Sequence, residues 1–121
     1  MQSISGSKSE ETMKREIITY NEIQGFHFYP NATSGVGYLS NIHRHVFVIR
    51  ARAEVSHNER EIEIITEQNI IEETLKKEYG YPCIFGPMSC ESIAEWLLGQ
   101  LPELSYVEVL EDGYGGAALT R

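Results

Sequence analysis

Between His43 and Val55 the chain alternates so regularly that an extended strand is the natural account of it. His43, His45, Phe47, Ile49, Ala51, Ala53 and Val55 fall on one face. Arg44, Arg50, Arg52 and Glu54 fall on the other, interrupted by Val46 and Val48. A strand turns its side chains over at every second residue, so two imidazoles share a surface with an apolar row. A second strand-like run, Glu16 to Tyr29, is rich in β-branched and aromatic residues and carries His27, with Gly25 marking a bulge. Two imidazoles from one strand and a third from its neighbour make a three-nitrogen cup. Catalytic zinc uses that donor set, three protein ligands with the fourth position left for water or substrate. The plain alternative is an exposed H-x-H pair that binds nothing. His57, the remaining histidine, falls in a polar turn and is expected to face solvent.

Around these strands the chain punctuates itself. Residues 1–14 are rich in Ser, Glu and Lys without periodicity and read as a disordered tail, leaving 15–121 as one domain. Pro30 closes the first strand, and Asn31 to Asn41 reads as a Gly/Ser/Asn loop. Ser56 to Arg60 is a polar turn and Glu61 to Ile65 a short extended segment. Thr66 can cap a helix to about Tyr79, with Ile70, Ile71 and Leu75 inward and Gly80 ending it. Tyr81 to Met88 reads as a loop pinned by Pro82 and Pro87. Ser89 then caps a second helix to about Leu101, with Ile93, Ala94, Leu97, Leu98 and Leu101 as its apolar stripe. Strands follow at Tyr106 to Leu110 and Gly115 to Leu119. The order strand, strand, helix, helix, strand, strand predicts an α+β layer pair, a four-stranded antiparallel sheet with both helices on one face. Strands left at the sheet edges invite pairing with another copy, so a homo-oligomer closed into a ring is expected.

Composition narrows the function classes. Eighteen acidic against 10 basic residues give a net charge of −8. That balance, with no clustered Lys/Arg, argues against nucleic-acid or anionic-membrane partners. No apolar run approaches the ~18 residues of a membrane span, and no signal peptide is visible. Cys83 and Cys90 do not form a disulfide or zinc pattern and read as free thiols of a cytoplasmic protein.

Four segments in order resemble the 6-pyruvoyltetrahydropterin synthase and 6-carboxytetrahydropterin synthase family, over about Ile23 to Leu119. Gly25-Phe26-His27 stands where that family has an A-A-H-type motif. His43-Arg44-His45-Val46-Phe47 stands at its H-G-H strand, and Pro87 to Trp96 is similar to its P-T-x-E-N-x-A-x-W helix start. Val107-Glu108-Val109-Leu110-Glu111-Asp112 is similar to its closing V-x-V-x-E-T. The resemblance implies the T-fold, a ββααββ sheet that assembles into an oligomeric barrel, a hexamer among its closed forms. It implies Zn²⁺ on His27, His43 and His45. It also implies that Glu111 anchors the ring of a pterin or purine-like ligand, since a carboxylate accepts two parallel N–H bonds from such an edge.

The sequence also departs from the family. The loop before H-x-H reads Gly37-Tyr38-Leu39-Ser40-Asn41-Ile42 and lacks the family's proton-transferring cysteine. The linker between the helices lacks its Asp-His pair. Tyr38 or Ser40 in that loop, Cys83 in the linker and Glu63 are the substitutes the sequence offers for a catalytic role. The implied function is a zinc-dependent carbon–oxygen lyase acting on a dihydroneopterin-triphosphate-like pterin. The alternative is a degenerate module that binds a pterin or purine-like ligand without turnover.

Overall fold

The computed structural model describes residues 13–121. The tail expected over 1–14 lies, up to residue 12, outside the described residues. Strand β1 (Arg15–His27) leads through a 3-10 helix (Ser34–Ser40) into β2 (His43–Val55). Helix α1 (Ile64–Tyr79), a short β3 (Cys83–Gly86) and helix α2 (Cys90–Gln100) follow. The hairpin β4 (Tyr106–Glu111) and β5 (Gly115–Thr120) closes the chain. Strand β2 begins and ends where the alternation of His43 to Val55 does.

The α+β class stands, but the antiparallel four-stranded ββααββ T-fold sheet does not. The sheet has five strands in the order β3-β1-β2-β4-β5. It is mixed, because β3 runs parallel to β1, pairing Gly25 with Cys83 and Phe26 with Ile84 before the register shifts at His27. The segment read as a Pro-pinned loop is therefore an edge strand. A four-residue strand between two prolines is too short to show a period, and its partner lies far away in sequence. Irregularity in β1 occurs at Phe26/His27 against β3, whereas Gly25 pairs in plain register with His45 of β2. Gly25 is small for a different reason: a Cβ there would stand 2.8 Å from the Phe85 ring and 3.1 Å from that of Phe47.

Helix α1 starts earlier than Thr66. The Glu63 carboxylate accepts from the backbone N–H groups of Ile65 and Thr66, so it is the N-cap and the Ile64-Ile65 pair is helical. In α2 the Ser89 hydroxyl accepts from Ser92 N–H, as the sequence predicts. Ile71 and Leu75 of α1 and Ile93, Ala94 and Leu97 of α2 pack with Ile23, Phe47, Ile49, Val107 and Val109 of the sheet. Each such fully buried large side chain contributes about 1.5–3 kcal/mol, which is what holds the helices to that face. Ile70, expected inward, is partly exposed. Asn21 Nδ2 donates to Gln68 O and Gln68 Nε2 donates to Tyr20 O, tying α1 to β1.

One core contact carries a pH dependence. Glu67, in the first turn of α1, is 3 % exposed. Burial first, then hydrogen bonding and repulsion from Glu103, push its carboxyl up to about 7. The neutral acid is the form the fold accommodates. Its contribution is therefore complete below the unfolded value near 4.5 and is lost as pH rises through about 7. Two and a half units correspond to about 3 kcal/mol. The Glu67→Gln variant, neutral at all pH, is expected to keep its melting temperature from pH 5 to pH 8.5 while the native chain declines. Parallel decline in both would show that another group is responsible.

Candidate metal centre

Register brings the three histidines together. His27 lies directly across from His43, and His45 sits opposite Gly25. Phe47 pairs with Glu111 of β4, which brings that carboxylate to the same face. Ring centroids stand 4.6 Å apart for His27 and His43, 4.9 Å for His43 and His45, and 5.2 Å for His27 and His45. One donor atom from each histidine lies within 4.8 Å of the others, so the cluster could hold a metal ion.

The opposite ring nitrogens decide which atoms face inward. His27 Nδ1 lies 2.9 Å from Met88 O, and His43 Nδ1 lies 2.9 Å from Asn41 O. A carbonyl oxygen only accepts, so both Nδ1 atoms carry the proton. His45 Nδ1 lies 2.7 Å from Asp112 Oδ2, and a carboxylate makes the same demand. In the neutral ring each imidazole therefore turns its Nε2 lone pair away from the oxygen that holds Nδ1, the orientation metal-bound histidines have.

Asp112 is held for this work. Its Oδ1 accepts from Val46 N–H at 2.9 Å and its own N–H donates to Val46 O at 2.8 Å. Asp112 and Gly113 both have positive φ, 55° and 79°, and Tyr114 N–H donates to Glu111 O. A primed hairpin turn of the Asp-Gly type results, and its geometry aims the Asp112 side chain back at His45. The hydrogen bond from His45 holds the Asp112 carboxyl below the usual carboxylate range. Desolvation lowers His27 from its ordinary value, so burial too favours the neutral ring.

The fit to a metal rests on orphaned atoms. Nε2 of His27 and Nε2 of His45 are buried without a hydrogen-bond partner. Glu111 oxygens stand 3.0 Å and 3.5 Å from them without hydrogen-bond geometry. Lone pairs of buried nitrogens facing a carboxylate are costly unless a cation lies among them. The donor set fits zinc.

The cup opens into a cavity of about 740 Å³, also lined by Phe28, Tyr29, Met88, Cys90, Glu111 and Tyr114. None of the substitutes considered for the proton relay lines it. Cys83 is fully buried in the core, with burial pushing its thiol up to about 11. Tyr38 is 70 % exposed on the 3-10 helix. Glu63 is spent on capping α1. Cys90 was not among those candidates, yet its Sγ lies 3.7 Å from Glu111 Oε2. Burial, reinforced by Glu111, pushes this thiol up to about 12, which makes it a weak donor and no nucleophile. Asp112 was legible only as the neighbour of Glu111, and the carbonyls of Met88 and Asn41 leave no trace in side-chain identity. His57 sits in its turn as expected, half-exposed and 3.7 Å from Glu61.

No family model matches the chain, and no curated protein matches it. The crystal structure of an uncharacterized protein, WS1659, from Wolinella succinogenes is similar, with a TM-score of 0.64 at 13% identity. The match covers 91% of this chain and 99% of that one. At that identity the likeness speaks for the fold alone. Among the described residues, no helix is long and apolar enough to cross a membrane.

Proposed function

We propose that this chain binds one zinc ion on His27, His43 and His45. We further propose that it acts there, in the manner of the 6-pyruvoyltetrahydropterin synthases, as a carbon–oxygen lyase on a dihydroneopterin-triphosphate-like pterin. The observation that supports this most is the convergence of three Nδ1-protonated imidazoles on one point at the floor of an open cavity. A zinc ion held there would act as a Lewis acid on the oxygens of a substrate side chain. The aromatic rings of Phe28 and Tyr29 and the thioether of Met88 line the cavity and offer apolar surface of the kind a planar ring packs against. Glu111, beside the cup and about a third exposed, is placed to accept the paired N–H donors of a pterin or guanine-like edge. Asp112 keeps His45 oriented. Two free thiols suit a reducing, cytoplasmic setting, and the uncharged edge strand β5 suits a homo-oligomer such as a hexamer.

A specific observation favours a second reading, in which the pocket binds its pterin or purine-like ligand without turnover. Cys83, Tyr38 and Glu63 all lie outside the cavity, and the Cys90 thiol resists ionisation. One experiment separates the two. Zinc-loaded protein is incubated with dihydroneopterin triphosphate while pterin fluorescence and triphosphate release are followed. A lyase releases triphosphate in proportion to bound zinc. A binder shows a raised melting temperature and no release. Neither signal would remove the pterin assignment and leave only the metal site.

A further inference from the structure

The Glu111 carboxylate lies nearer the histidine nitrogens than a ring anchor needs to be. Four zinc ligands at about 2.0–2.1 Å define a tetrahedron with edges of roughly 3.3 Å. Glu111 Oε2 stands 3.0 Å from His27 Nε2 and Oε1 stands 3.5 Å from His45 Nε2. Both separations match such an edge. Neither contact has hydrogen-bond geometry, and both facing nitrogens are buried without any other partner. Oxygen and nitrogen lone pairs at this distance, with no proton between them, are mutually repulsive. The arrangement becomes favourable when all of them address the same cation.

We propose that Glu111 is the fourth metal ligand while the pocket is empty. The site is then His₃Glu and closed, rather than His₃ with an open position. Backbone pairing supports this, since Glu111 stands across from Phe47 in β2, two residues on from His45 along the same face. Cys90 supports it from the other side, its S–H lying 3.7 Å from Glu111 Oε2 and able to steady the carboxylate with a weak donor. The side chain remains about a third exposed, so it is free to swing outward. This assignment rests on the three histidines as metal ligands, and it deepens the pterin reading without depending on turnover. A ligand with paired N–H donors would draw the carboxylate off the metal as it enters, so one residue both closes the empty site and recognises the ring. Ligands that lack that edge would meet a metal with no vacant position.

Metal affinity and cobalt spectroscopy test the assignment without any substrate. Zinc affinity is measured against a chelating dye for the native chain and for Glu111→Gln, which keeps shape and loses charge. The expected loss is at least about 10-fold, the scale already seen when residues merely supporting metal ligands are removed. Azide is then added to the Co²⁺-loaded native protein and to Co²⁺-loaded Glu111→Ala. The native visible spectrum is expected to stay unchanged, because the fourth position is filled, while that of Glu111→Ala shifts. Equal zinc affinity in Glu111→Gln, or an azide response in the native protein, would overturn the assignment and leave the three-histidine site standing. Failure of the native chain to take up either metal would sink both together. Absence of triphosphate release, by contrast, touches only the lyase reading.

Discussion

Removing metal from the purified protein is expected to lower its melting temperature by about 15 °C or more, and zinc alone should restore it. A ligand that binds only the folded state at about 1,000 times its dissociation constant adds about 4 kcal/mol. For a domain of this length each kcal/mol corresponds to about 4 °C. The size of the effect follows from what the empty cup contains. His27 and His45 are buried with unpartnered Nε2 atoms facing the Glu111 carboxylate, and a cation bound among them would relieve both deficits at once. The variant His43→Ala isolates the cause, because His43 is less buried than His27 and truncating it removes a ligand with little loss of packing. Its melting temperature should lie near that of metal-free native protein and should not respond to zinc. Chelator treatment that leaves the native transition unmoved, together with no metal by elemental analysis, would rule out the cup.

The reach of the sequence can be seen at particular residues. Strand β2 was readable to the residue because one face carries an unbroken row of His43, His45 and apolar residues at every second position, even though Val46 and Val48 interrupt the polar face. The histidine cup was readable for the same reason. Period two puts His43 and His45 on one face, and a hairpin brings His27 across from them. What escaped lies where local pattern and tertiary structure disagree. Ile64-Ile65 has the β-branched look of a strand, yet the Glu63 carboxylate caps their N–H side and turns them into the first residues of α1. Cys83 to Gly86 is extended only because β1 offers a parallel partner, a contact no local pattern announces. That one strand changes the sheet from four antiparallel strands to five mixed ones, and it draws Cys83 into the core, away from the site. The stretch Ser34–Ser40 winds into 3-10 turns that a Gly/Ser-rich composition does not distinguish from loop. Chemistry was thus legible in side chains that alternate on a strand, and lost wherever a role falls to a backbone carbonyl or to a non-local pairing.

The other large effect is expected at Gly116, on the strand that pairs with the Glu111 end of β4. A Cβ on this residue would run into the carbonyl oxygen and carbon of Val109 and the Cα of Leu110. All three atoms belong to the backbone of β4, so no rotamer change can make room. The pairs Leu110↔Gly116 and Val109↔Ala117 must separate if a methyl group is to be accommodated. Losing them frees β5, and with it the packing of Ala117 and Leu119 against the core. The Arg121 guanidinium would also lose its hydrogen bonds to Leu98, Leu101 and Leu104 carbonyls. Gly116→Ala is therefore expected to cost about 3 kcal/mol or more, at or above the top of the usual range for overpacking because the atoms in the way are backbone. Metal affinity should fall with it, because the β4–β5 turn carries Glu111 and Asp112 toward the histidines. Gly115 supplies the control: a Cβ there meets nothing within 4 Å, so Gly115→Ala should stay within about 1 kcal/mol of the native chain. Thermal melts of the two variants decide the matter, and a Gly116→Ala protein as stable as Gly115→Ala would mean that β4 and β5 are not paired in this register.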